Sequence, residues 1–144
     1  MIPELSDCVL DHLAIATNSI SDTMKVYTDL GLTFKPELEV VKSQSVTTAF
    51  ASLGGEAQIE LLEPFGDSGP IHKYLEKKGP GLHHICFKVT NVKEKSEELK
   101  AKGYIMLNAE PVEGAHNCLV NFIHPKSTGG VLIEISQKNH KDQS

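Results

Sequence analysis

The hydrophobic pattern of this chain occurs twice. LDHLAIATNSISDTMKVYTDLGL, from Leu10, and LHHICFKVTNVKEKSEELKAKGY, from Leu82, place like residues at like positions. Leu10 matches Leu82, His12 matches His84, Ile20 matches Val92 and Gly31 matches Gly103, each pair 72 residues apart. Self-similarity at a fixed period is the signature of a duplicated structural unit. In each copy a short apolar run of strand type precedes a helix signal. Ser19 and Asn91 are good N-caps, and an acid three residues on (Asp22, Glu94) completes a capping-box-like start. Ile20, Met24, Tyr27 and Leu30 then fall on one helical face, as do Val92, Ser96 and Leu99. Gly31 and Gly103 suit the left-handed position that ends a helix.

The ends of the two copies correspond as well. Phe50 leads through a turn into Gln58-Ile59-Glu60-Leu61, and Phe122 leads through the HPKSTGG turn into Leu132-Ile133-Glu134-Ile135. The second turn is longer by two residues, which is where insertions are tolerated. Glu39–Phe50 and Tyr104–Pro111 read as further strands or turns. Pro70 and Gly79 bracket a short connecting helix. Each half is therefore strand, helix, then several strands. The expectation is an α+β fold with two modules, about 8–65 and 82–137, joined by 66–81, in a single domain spanning 1–144.

Composition narrows the function. With 40% hydrophobic and 23% charged residues the chain is an ordinary globular domain, neither disordered nor disulfide-stapled. A net charge of −5 and the lack of a basic segment argue against a nucleic-acid partner. Cys8, Cys86 and Cys118 are odd in number, widely spaced and form no C-x-x-C, so a reducing, cytoplasmic compartment is expected. No apolar stretch approaches a membrane span, and MIPELSDCVLDH lacks the basic and apolar regions of a signal peptide.

Strand parity then isolates four residues. His12 shares a face with Leu10, Ala14 and Ala16, and His84 shares one with Cys86, while the larger Leu13, Ile15, Ile85 and Phe87 face the helix-covered core. The small neighbours of the histidines leave room for a cavity. Glu60 and Glu134 oppose their apolar flanking residues in otherwise hydrophobic strands. Two modules related by a pseudo-twofold axis bring one His and one Glu from each to that axis. Two imidazoles and two carboxylates suit a divalent ion such as Co²⁺, Mn²⁺, Ni²⁺ or Zn²⁺. Four such ligands leave two positions open on a six-coordinate ion. His83 falls on the opposite face, His72 reads as a surface residue and the cysteines as packing residues; His116 and His124 lie in turn-rich segments where either could touch substrate, with a structural role favoured.

With the repeat in view, the stretches LDHLAIA, IELLEP, GPGLHHICFKV, EGAH and FIHPKSTGGVLIE resemble the vicinal-oxygen-chelate superfamily (glyoxalase, bleomycin resistance and dioxygenase proteins) and, within it, the methylmalonyl-CoA epimerases. The resemblance runs from about Leu10 to Ile135. It implies two βαβββ modules forming an open barrel-like sheet around a central metal cleft. His12, His84 and Glu134 match the family's metal ligands, and Glu60 a fourth. Cobalt is the first expectation for the ion, with Mn²⁺, Ni²⁺, Zn²⁺ or Mg²⁺ as alternatives. It further implies an acyl-CoA substrate, interconversion of (2R)- and (2S)-methylmalonyl-CoA, and a homodimer. Glu134, with Glu60 or a water on the other face, is the expected base. Lys126 and Ser127 in the HPKSTGG turn, and Gln44 in SQSV, are candidate substrate-binding residues. The chain departs from some members at Thr47 and Thr48, since it has no acid between Val40 and Gly55. Three rival readings share the scaffold: a glyoxalase I-like lactoylglutathione lyase, an extradiol dioxygenase and a metal-free resistance-type binding module.

Overall fold

The computed structural model describes residues 8–138; the opening residues 1–7, read above for a leader, lie outside them. The elements are β1 (Cys8–Ala16), α1 (Ile20–Asp29), β2 (Glu39–Val41), β3 (Val46–Ser52), β4 (Gln58–Pro64), α2 (Pro70–Lys78), β5 (Gly81–Val89), α3 (Val92–Ala101), β6 (Val112–Glu113), β7 (Cys118–Ile123) and β8 (Leu132–Lys138). The chain is α+β, built of two βαβββ modules, β1-α1-β2-β3-β4 and β5-α3-β6-β7-β8, with α2 between them in sequence. It divides into two compact units: His12–His83 and, among the described residues, 8–11 with 84–138. We call these module one and module two. Among the described residues no helix is long and apolar enough to cross a membrane.

Module one has the strand order β2-β3-β4-β1, with β1 and β4 parallel and the other neighbours antiparallel. The helix signals act as read. The Ser19 side chain accepts from the Asp22 N–H. At the other end Gly31 takes φ +114°, so the Leu32 N–H reaches the Tyr27 carbonyl at 3.0 Å and the Gly31 N–H reaches that of Thr28 at 2.9 Å. Ile20, Ala49 and Leu61 are buried under α1, with Ile15, Met24, Tyr27 and Phe34 packed against them. Leu30 departs from the expected apolar face. It is the C-cap, beyond the last turn, and stands 72% exposed.

The opposite face of module one also differs from expectation. Ala14 and Ala16 do leave room, but α2 fills part of it: they are buried with Val46, Leu62 and Ile71, against Val41, Tyr74 and Leu75. Pro70 opens α2, and Gly79 closes it at φ +77°. Just before the helix, Gly69 has φ +103°, and a Cβ there would stand 2.7 Å from Ser45 Cβ. The loop before β3 and the start of α2 can approach this closely only over a glycine.

Module two repeats the plan, with strand order β5-β8-β7-β6 and β5 parallel to β8. Asn91 caps α3 through the Glu94 N–H, and Gly103 ends it at φ +97° with Tyr104 N–H donating to the Leu99 carbonyl. The bridges Phe34↔Ala51 and Met106↔Ile123 are equivalent, as are the bonds Lys35 N–H to Phe50 O and Leu107 N–H to Phe122 O. The cores differ, however. Where module one has Met24 and Ala49, module two has Ser96 and Asn121, both fully buried. Asn121 Nδ2 donates to Ser96 Oγ and to the Asn108 carbonyl, both at 3.1 Å. Its Oδ1 accepts from the N–H groups of Asn108 (3.2 Å) and Phe122 (2.8 Å). This amide pins the 104–111 segment, which forms only an isolated bridge and no strand of its own, to β7.

Candidate functional site

In each module the strand register brings the predicted His and Glu together. In module one Ala14 pairs with Glu60 and His12 with Gln58, so His12 and Glu60 are diagonal neighbours on one face of parallel strands. In module two Cys86 pairs with Glu134 and His84 with Leu132, which is the same diagonal. His12 Nε2 lies 3.5 Å from Glu60 Oε1, and His84 Nε2 lies 3.1 Å from Glu134 Oε1. All four side chains are only 10–15% exposed. Phe50 lies opposite Glu60, and Phe122 opposite Glu134, so each carboxylate has an aromatic ring beside it on the same face. Nearly buried carboxylates set among apolar groups call for a cationic partner.

The pair geometry fits a metal ion. Two ligand atoms each about 2.1 Å from one ion stand roughly 3.0–3.4 Å apart at octahedral to tetrahedral angles, close to what each pair shows. The donors, imidazole nitrogen and carboxylate oxygen, are those a borderline divalent cation takes. Cys86 does not join them as a thiolate. Burial, then the Glu134 and Asp11 carboxylates, push its thiol well above the usual range, and its S–H bonds to Glu134. It is a protonated packing group on the floor beside Glu134, as expected of a small buried residue.

The expected substrate contacts are more peripheral. Gln44 ends a 3-10 turn, exposed, ahead of Ser45 at φ 54°. Lys126 is exposed in the β7–β8 turn. Ser127 has a structural task there, since its Oγ accepts from the Ile105 N–H at 3.0 Å. The same turn is capped by His124, whose Nδ1 accepts from the Lys126 N–H at 3.0 Å. His72 pairs with Glu76 along α2, and the His83 ring meets Tyr74 edge-on at 4.8 Å.

Two positioning residues escaped the sequence reading. Glu63 Oε1 accepts from the Ile20 N–H, and Gln137 Oε1 from the Val92 N–H, each at 2.7 Å. Each ties the first turn of its module's helix to the strand that carries the paired glutamate. A signal existed: 137 − 63 equals 134 − 60, so the two are as repeat-equivalent as the glutamates.

Residues 11–122 match the family model described as Glyoxalase/Bleomycin resistance protein/Dioxygenase superfamily. The chain belongs to this superfamily. Among its relatives is the mitochondrial methylmalonyl-CoA epimerase of Dictyostelium discoideum, 39% identical over 132 residues that cover 90% of this chain and 78% of that one. The ethylmalonyl-CoA/methylmalonyl-CoA epimerase of Cereibacter sphaeroides is 35% identical, covering 89% and 96%. The crystal structure of methylmalonyl-CoA epimerase from Mycobacterium tuberculosis superposes with a TM-score of 0.81 at 32% identity, covering 94% of this chain and 91% of that one. The superfamily and the βαβββ modules expected from the sequence are thus borne out.

Proposed function

We propose that this protein is a divalent-metal epimerase that interconverts (2R)- and (2S)-methylmalonyl-CoA, working as a single two-module domain. The observation that carries the reading is the pair of equivalent His–Glu diagonals, each spaced for one ion, in a chain whose relatives bear that activity in their names. In this reading His12, Glu60, His84 and Glu134 hold one ion together, Co²⁺ first among the candidates. Such an ion supplies Lewis-acid stabilisation of the charge that develops on an enolate.

The chain's own groups do the rest. The carbon between a thioester and a carboxylate must lose a proton from one face and regain one on the other. Glu134 is a base for one of these transfers: its carboxylate sits on the inner face of β8, with His84 and the Cys86 thiol fixing its direction. Phe50 and Phe122, beside the glutamates, keep water from the carbanion-like carbon. Gln44, Lys126 and Ser127 are the groups offered to the CoA portion, with Lys126 the one that carries a cation for its phosphates. Free thiols at Cys8, Cys86 and Cys118 fit a reducing, cytoplasmic setting, and the family resemblance adds a homodimer.

The test is α-proton exchange of methylmalonyl-CoA in D₂O, before and after chelator treatment and with Co²⁺ restored. Exchange that disappears with the metal, returns with it, and is abolished by Glu134→Gln is the expected result. Undiminished exchange in Glu134→Gln would sink the assignment. Turnover of the methylglyoxal–glutathione hemithioacetal instead would make the protein a glyoxalase I-like lyase. A purified protein without metal or metal-dependent activity would make it a binding module.

A further inference from the structure

Epimerisation by proton removal and return is most economical with a separate base on each side of the reacting carbon. Module two contributes Glu134. Glu60 is its counterpart in module one; both are ligands in the epimerase reading, so a carboxylate free of the ion on module one's side would be the stronger base. The strand register of module one offers another carboxylate. Glu39 pairs with Thr48, Thr48 with Leu62, and Leu62 with Ala16. Directly paired residues point to the same side of a sheet, and residues two apart along a strand do too. Glu39 therefore stands on the face that carries His12, Ala14, Phe50 and Glu60. Val41, two residues on, has the same parity and packs against the buried cluster that holds Ala14, Ala16 and Leu62.

On β1 the Asp11 carboxylate lies within 4.8 Å of the Cys86 sulfur, and Glu63 belongs to the opposite face, at the end of α1; the acid of β2 to β4 that shares the face of Glu60 is Glu39. Its carboxylate is exposed, and no hydrogen bond or ion pair engages it among the described residues. Its neighbour Thr48 is 4% exposed and donates back to the Glu39 carbonyl at 3.5 Å, which ties the edge strand to β3 at this residue. By strand spacing and rise, the Cα atoms of Glu39 and Glu60 lie roughly 12 Å apart. Two glutamate side chains on one face, with a malonyl core between them, span that distance directly or through one water.

We propose that Glu39 is the second base, serving module one's side of the substrate; this rests on the epimerase reading above. The α C–H bond breaks, its proton passes to a Glu39 carboxylate oxygen, and the electron pair enters the thioester enolate. A proton from Glu134 then forms the new C–H bond on the other face. Glu39 is left protonated and Glu134 ionised until exchange with solvent resets both. In the reverse direction the roles interchange.

The experiment uses Glu39→Gln, with Glu39→Asp as the conservative partner, on the separate 2R and 2S thioesters in D₂O. Glu39 is on an exposed edge strand, so both variants are expected to fold. With Glu39→Gln, epimerisation should fall by roughly 100-fold or more. Exchange should be lost for one enantiomer while the other still exchanges with its configuration retained. Bound metal, measured by elemental analysis, should stay at the wild-type ratio, and Glu39→Asp should restore part of the rate. Wild-type epimerisation by Glu39→Gln, or equal loss of exchange from both enantiomers, would overturn the proposal; the first result would leave Glu39 as a charge that guards an edge strand. Failure of the wild-type protein to exchange either enantiomer would instead overturn the epimerase reading itself.

Discussion

Replacing Asn121 with Ala tests whether the buried amide of module two is what holds the 104–111 segment against β7. Asn121 is fully buried and makes four hydrogen bonds, two with Asn108, one with Ser96 and one with the Phe122 N–H. Truncation leaves these partners without it. A buried polar group stripped of its partner costs about 1–3 kcal/mol. The Asn108 groups lie near the surface and regain water, so the full cost applies to Ser96 Oγ and the Phe122 N–H. The expected loss is about 3 kcal/mol, read as a shift in the midpoint of urea unfolding followed by circular dichroism. Ser96→Ala removes one bond and should cost about 1 kcal/mol. The double variant should lose about 1 kcal/mol less than the sum, because once Asn121 is gone Ser96 is no longer worth keeping. A loss below about 0.5 kcal/mol for Asn121→Ala, or strict additivity of the pair, would refute the account. Phe122 faces Glu134 across the β7–β8 ladder, so α-proton exchange should weaken in the Asn121 variant.

Two further outcomes follow from the same geometry. Glu63→Gln should be nearly neutral in urea unfolding because Gln137 already performs this task in module two, whereas Glu63→Ala should cost about 1 kcal/mol, as for a lost helix cap. The raised Cys86 thiol means that the folded state keeps a proton which the unfolded chain gives up above about pH 9, where an ordinary thiol ionises. Stability is therefore fully present below pH 9 and falls as pH rises beyond it, by at most about 1.4 kcal/mol per pH unit from this group. Cys86→Ala should remove that part of the decline in unfolding measured from pH 8 to 10.5.

The repeat made most of this architecture legible. A period of 72 residues marked two modules, and the caps Ser19 and Asn91 and the terminators Gly31 and Gly103 act as their chemistry dictates. Parity alone placed each His and Glu on a shared face, because an alternating strand leaves few choices. What escaped depends on neighbours that are remote in sequence. Glu63 and Gln137 look like surface polar residues until the helix N-terminus they anchor is seen, 43 and 45 residues upstream. Ser96 falls on the helical period of an apolar face, and the partner that explains it, Asn121, is 25 residues away. Leu30 fits the helical period but falls one residue past the helix. Glu39 carries no signal of its own in the sequence, since its place on the face comes from a pairing nine positions away with Thr48.

The connecting helix has a consequence of its own. A duplicated chain offers two nearly identical half-surfaces, and nothing in the repeat itself tells one from the other. Here α2 covers the end of the His12 face at Ala14 and Ala16, while among the described residues no helix follows β8 to do the same for the His84 face. A single insertion between two copies thus removes the degeneracy of the duplication. It gives each copy a surface that the repeat alone would not distinguish.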